Sequence, residues 1–406
     1  MKSVYRLIGI SLLAIIILSV GCVKRDNPAV PETAPAGLIA WFTHQYDGIT
    51  GANSIWNQYP ARRVAVYTPP GYDFDNLIGL RYPTLYLLPG YDGEPSFNFE
   101  YGNETYYLAA SIAKVADRLI ASGEIKPMFI VMPDAAIPYG GSFYANSNLA
   151  GKWEDMMSVE LVHKVDTLTT TETRPGSGFR TLAAKESRAI GGHSSGGYGA
   201  IRIAMTNDSL FNSVSAIDAP LAFDGSGSFG GITELFHAYL DESGITTDSQ
   251  YLAADTTGFR AQPYKILFYS MAATFSPAAK TAATGLGNLQ ISLPFDYQGT
   301  PVQSVWDQWL ANDLYTWLDN ATYRNALKKQ SFHFETSDHD VNMFNQQTQL
   351  FAQKLSSLGI EDVVVESASF SKYEEANARS RTFLYDRLEY ILKFHSKHLR
   401  DRDGNY

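Results

Sequence analysis

Residues 188 to 205 read RAIGGHSSGGYGAIRIAM. A short apolar run, RAIGGH, passes without a linker into an amphipathic helical pattern, and a G-x-S-x-G stands at the join. A chain that turns from strand to helix at a single residue must strain its backbone there. It must also keep the positions two before and two after small, because strand and helix nearly touch. Ser194 meets that requirement with Gly192 and Gly196, whereas Ser195 would need to fit His193 at the earlier position. Ser194 is therefore the residue at the corner, with its hydroxyl projecting above the sheet as a candidate nucleophile. G-x-S-x-G alone is a weak signal; the strand before it and the helix after it give it weight. His193 alternates to the other side of the strand and reads as a hydrogen-bonded core residue rather than a base.

Around this corner the chain alternates short apolar strands with amphipathic helices. RRVAVYTP, PTLYLLPG, MFIVMPD, SVSAID, SFHFE and EDVVVES read as strands. Helical spacing marks ETYYLAASIAKVADRLIASG, WEDMMSVELVHKVDTL, the stretch after Ser195, NQQTQLFAQKLSSLG and the last segment, ending YDRLEYILKFHSKHL. That order predicts an α/β fold with a mainly parallel central sheet and helices on both faces. The main domain covers 39–400, with 401–406 as a tail. One interval breaks the rhythm: residues 222–329 separate two consecutive core strands. It is expected to be a cap over the carboxyl ends of the strands, where open α/β sheets bind ligands; the alternative is an insertion that only shields a sheet edge. Trp306, Trp309 and Trp317, with Phe295 and Tyr297, make it aromatic enough to line a substrate site.

The amino terminus carries a different message. Residues 1–22, MKSVYRLIGISLLAIIILSVGC, have the basic flank, apolar run and small-residue end of a secretion signal. The apolar run, about a dozen residues, is short for a membrane span, which needs ~20. The chain's single cysteine, Cys22, follows it and has no second cysteine for an internal disulfide. The arrangement resembles a bacterial lipobox, with Ser19 where a leucine is more usual. It implies lipidation at Cys22 and a protein anchored at the cell envelope. Residues 23–38, rich in Pro and Ala, read as a tether reaching roughly 50 Å when extended. A net charge of −10 and no Lys/Arg cluster beyond the amino terminus argue against a nucleic-acid partner.

Taken together, RAIGGHSSGGYGAIRIAM, VYTPPGYD, YPTLYLLPGYDG, KPMFIVMPDA and GGSFYANS resemble, in order, the landmarks of the esterase family that includes esterase D, bacterial feruloyl esterase domains and mycobacterial mycolyltransferases. FSPAAK and LPFD resemble parts of the insertion in its secreted and lipoprotein members. The likeness runs from Arg62 to Leu399. It implies an α/β-hydrolase fold and ester chemistry on acyl groups, often carbohydrate-linked, without a cofactor. Attack on an ester needs donors for the developing oxyanion. The Ser195 N–H at the helix start is one; the resemblance puts the other at Tyr91, after a Pro89 that replaces the family's usual His. It puts the acid at Asp340, with Asp338 as runner-up, although this acidic turn could equally cap the next helix. Asp338, His339 and Asp340 are neighbours in a turn, an arrangement that seldom converges on a metal ion.

The resemblance places the base after the last strand, and that interval, ESASFSKYEEANARSRTFLYD, contains no histidine. His339 beside the acid and His237 in the insertion are the substitutes within reach; His395 and His398 sit on the last helix, past the expected loop. Glu374 or Glu375 in the empty loop would be a poor base unless burial raised its pKa. A serine without a base is a weak nucleophile, and losing the base costs on the order of 10⁶ in turnover. Three expectations follow: an ester hydrolase with a displaced base, a lipid-anchored relative that binds a glycan or ester without turning it over, and an acyltransferase.

Overall fold

The computed structural model describes residues 36–46, 61–72, 80–90, 104–167, 178–224, 231–258, 262–337, 340, 342, 344–360, 362–368, 381–401 and 403–406. The proposed signal, Cys22 and the tether up to Pro35 lie outside the described residues.

Eight strands form one sheet: β1 (Leu38–Gln45), β2 (Ala61–Thr68), β3 (Thr84–Leu88), β4 (Phe129–Pro133), β5 (Arg188–His193), β6 (Ser213–Ile217), β7 (Ser331–Ser337) and β8 (Val363–Ala368). Their spatial order is β1-β2-β4-β3-β5-β6-β7-β8. The β1–β2 and β2–β4 pairs are antiparallel and the other pairs parallel. Every residue of β3, β4 and β6 is buried, as a central strand covered on both faces requires. β1 is the strand that the sequence pattern did not reveal. Leu38, taken as the end of the tether, opens it, and its mixed exposure fits an edge position.

Side-chain alternation sends the strands' residues into two layers. On one face Leu85, Leu87, Ile130, Met132 and Ala189 pack against α1 (Glu104–Ala121) and the terminal helix, α9 (Arg381–His398). On the other, Tyr86, Leu88, Val131, Ile190 and Val214 join the larger core. That layer contains a helical stretch, α2, which runs through Trp153–Asp155, a π turn at Met156–Leu161 and Val162–Thr167. It also contains α3 (Ser195–Thr206).

The long insertion between β6 and β7 includes α4 (Gly231–Ser243), α5 (Pro263–Phe275), α6 (Gln303–Leu310) and α7 (Ala321–Leu327). It shares the larger core instead of forming its own. Polar contacts fasten it: Ser147 Oγ donates to the Ala273 carbonyl at 2.7 Å, and Tyr139 Oη to that of Leu289 at 3.0 Å. Tyr198 Oη, from α3, donates to the Asn312 carbonyl at 2.7 Å. The insertion thus lies against α3 and the segment after β4. The chain then completes the sheet with α8 (Phe344–Ser357) between β7 and β8.

Candidate active site at the strand-to-helix corner

Ser194 stands between β5 and α3 with φ 53° and ψ −121°, a backbone conformation that a residue with a side chain adopts only under constraint. The constraint comes from both sides. The Ser194 N–H donates to the Ile217 carbonyl at 2.8 Å, and its own carbonyl accepts from the Tyr198 N–H at 3.0 Å. The flanking glycines permit the turn. A Cβ on Gly192 would stand 2.4 Å from the Gly196 carbonyl carbon, and one on Gly196 would stand 2.1 Å from the Leu88 carbonyl oxygen.

Ser195 opens α3, where the first N–H groups have no acceptor within the helix and the helix dipole favours negative charge. The end of β3 is drawn up beside it. Tyr144 Oη donates to the Pro89 carbonyl at 2.8 Å. Gly90 packs so closely on His193 that a Cβ would meet its carbonyl oxygen at 2.7 Å and its Nδ1 at 2.8 Å. Pro89, Gly90, Asp134, Ser142, Tyr144 and Ser195 line a small hollow there. Tyr91, the second expected oxyanion donor, lies outside the described residues.

Asp340 accepts the N–H groups of Asn342 at 3.0 Å and Asn345 at 2.9 Å, so it caps the start of α8. Burial, and then the nearby Asp218 carboxylate, raise its pKa to about 6. The capping role left open in the sequence is therefore occupied. Asp338 and His339, in the same turn, lie outside the described residues, as do Glu374 and Glu375.

Seven of the eight histidines are described, and no hydrogen bond joins any of them to the Ser194 hydroxyl. The His193 ring makes no hydrogen bond among the described residues, contrary to the sequence expectation, although the backbone of His193 pairs with Ile217 in the sheet. Its ring lies against Gly90, and desolvation, followed by the Arg387 charge, lowers its pKa to about 4. His395 is buried between two hydroxyls, with Nδ1 2.8 Å from Ser213 Oγ and Nε2 2.9 Å from Ser215 Oγ. His333 Nε2 lies 3.1 Å from Glu366, and His398 Nδ1 lies 2.8 Å from the Phe394 carbonyl. His237 stays in the insertion beside Gly299 and Phe236. His44 lies beside Glu160 and Tyr46, and His163 is exposed. Among the described residues no group of three or more His, Cys, Asp or Glu is placed to hold a metal.

The tryptophans are placed unequally. Trp309 is fully buried and donates its indole N–H to Ser276 Oγ at 2.8 Å. Trp317 stacks on Tyr323 at 4.5 Å between centroids, and the Arg202 guanidinium stands over its ring at 4.7 Å. Trp306 is half-buried against Phe295.

A charge cluster unforeseen in the sequence stands next to the corner. Arg387, from α9, donates through Nη1 to Asp218 Oδ2 and through Nε to Glu335 Oε1, both at 2.6 Å. All three side chains are buried. Burial pushes Glu335 up to about 7 against the pull of Arg387. Burial would lower the Arg387 pKa, but Asp218 and Glu335 outweigh it and hold the guanidinium above its ordinary value. The sequence signal was slight: an Asp directly after a buried strand, a Glu inside another, and an Arg in an amphipathic helix.

A mainly parallel sheet between helices, with a serine held at a strained turn from its fifth strand into a helix, defines the α/β-hydrolases that carry a serine nucleophile. Within that class the chain belongs to the family described as "Putative esterase", whose model matches residues 60–353, well over half of its length. A solved ferulic acid esterase superposes with a TM-score of 0.52 at 16% identity, covering 90% of this chain and 99% of the other. A substrate-bound fluorophosphonate-binding serine hydrolase of Staphylococcus aureus gives a TM-score of 0.50 at 16% identity, covering 89% and 99%. At these identities the likeness is one of fold.

Proposed function

We propose that the protein is a serine esterase that cleaves carboxylic esters, with carbohydrate-linked acyl groups as the natural class, and that it works at the cell envelope through a lipid on Cys22. The observation that carries this reading is the Ser194 corner, because strained geometry at a helix start is what a serine nucleophile beside an oxyanion site requires, and it is built here with Ser194 only 5% exposed. Ser194 Oγ attacks the ester carbonyl while the Ser195 N–H, with that of Tyr91, receives the oxyanion. The serine proton passes to a base, and from it to the departing alkoxide as the ester C–O bond breaks. Water then attacks the acyl-serine by the same route and releases the acid. His339 is the base in this reading, with Asp340 as its acid. Trp306 and Trp317, half-buried in the insertion, are the tryptophans in this reading that contact a sugar, while Trp309 is fully buried.

Labelling with a fluorophosphonate tests this directly. Ser194 should be modified in the wild type and nothing should be modified in Ser194→Ala. A folded wild type that resists labelling would overturn the reading.

A second reading is a lipid-anchored homologue that binds an ester or glycan without hydrolysing it. It is favoured by the absence of any hydrogen bond between the Ser194 hydroxyl and the seven described imidazoles. Glycan binding without turnover of p-nitrophenyl acetate would select it. An acyltransferase would be recognised by an alcohol outcompeting water as acceptor.

A further inference from the structure

We propose that Asp218 is a positioning residue for Ser194, joining the nucleophile corner and the Asp340 turn into one frame that Arg387 locks from the opposite layer. The inference rests on the esterase reading for its consequence in catalysis, though not for its mechanical content.

The segment Ile217–Ala219 touches β5, β7, α3, α8 and α9. The Ile217 carbonyl accepts the Ser194 N–H at 2.8 Å, and the Asp218 N–H donates to the Glu335 carbonyl at 3.0 Å. Asp218 has φ 39°, a left-handed conformation that Asp tolerates better than most residues and that aims its carboxylate back across the strand ends. There Oδ1 accepts the Ser337 N–H at 2.9 Å and Oδ2 accepts from Arg387 at 2.6 Å. Asn345 Nδ2 donates to the Ser337 carbonyl, while the Asn345 N–H donates to Asp340 Oδ2 at 2.9 Å, so the acid turn hangs from the residue that Asp218 holds. Ala219 closes the frame. Its N–H donates to Thr348 Oγ1 of α8 at 2.7 Å, and a Cβ on Gly197 of α3 would come within 2.9 Å of its methyl group.

A surface ion pair would do little of this. Here the guanidinium is buried and bridges two carboxylates on adjacent strands, so it cannot shift without leaving charge unpaired. Burying charge at the base of the corner fixes a single arrangement of the ends of β5, β6 and β7, at the level where Ser194 and Asp340 must meet a substrate.

Hydrogen exchange on the intact protein, read together with fluorophosphonate labelling, tests the proposal in Asp218→Asn, Arg387→Lys and Asp218→Ala. Asp218→Asn should speed exchange in both the 194–198 and 337–346 peptides, on the order of tenfold, and leave α1 at its wild-type rate. The maximal labelling rate should fall by roughly 10- to 100-fold with the inhibitor constant unchanged, the mark of lost alignment instead of lost binding. Arg387→Lys, which keeps the charge but loses the two-pronged guanidinium, should show both effects at reduced size. If either peptide keeps its wild-type exchange, or if α1 loosens equally, Asp218 is no positioning residue. Should Asp218→Ala fail to fold, the two conservative variants decide the matter. Should wild type resist labelling, the esterase reading falls, and the exchange rates alone judge the frame.

Discussion

The Leu88 carbonyl at the end of β3 sits where a Cβ of Gly196 would be, 2.1 Å away. The helix that follows Ser194 and the end of β3 are thus in backbone contact, and one methyl group would force them apart. The obstacle is backbone and cannot rotate aside. Gly196→Ala should lose at least ~2–3 kcal/mol of stability, the upper range for overpacking a rigid site. It should also abolish Ser194 labelling. Urea unfolding and mass spectrometry of the labelled peptide check the two effects.

Ser194 itself stores strain, because φ 53° with ψ −121° suits glycine and costs a serine roughly 1–3 kcal/mol. Ser194→Gly should therefore raise the melting temperature by a few degrees while removing all labelling. A variant that loses activity and gains stability is the signature of a residue held for chemistry. A lower melting temperature would show that the corner is relaxed.

His395 offers a pH test remote from the chemistry. Burial, with His333 and His398 nearby, puts its pKa well below the usual 6.5. Below pH 6.5 the unfolded chain binds a proton there that the folded chain refuses, so its contribution makes stability fall as pH falls. Glu335, raised to about 7, and Asp340, raised to about 6, act in the opposite sense. They are present in both proteins compared and cancel in a difference. The stability gap between wild type and His395→Asn should thus shrink by about 1.4 kcal/mol per pH unit from 6.5 towards 5. Paired urea titrations at each pH measure it.

If His339 is the base, His339→Ala should reduce hydrolysis of p-nitrophenyl acetate by up to ~10⁶, and Asp340→Asn by ~10⁴. Asp340→Ala should also lose about 1 kcal/mol through the cap on α8. An intact rate in His339→Ala, beside a clean loss in Ser194→Ala, would send the search for the base to residues 369–380.

Local order fixed much of this in advance. Alternating and continuous apolar runs marked β2 to β8, because a residue's burial in a strand depends on its nearest neighbours along the chain. Gly192, Ser194 and Gly196 announced the corner for the same reason, since the steric demand falls within five residues. β1 escaped because LIAWFTHQ is an edge strand of mixed exposure that only its partner β2 defines. What tertiary structure alone decided is the company of each charge and ring. Arg387 lies 169 residues from Asp218 and 52 from Glu335, and on an amphipathic helix it reads as a solvated residue. His395 likewise looks like a surface histidine until α9 lays it between Ser213 and Ser215. Periodicity reports which face of an element is buried; it carries no information about which distant groups will share that burial, and there the electrostatics of this site are set.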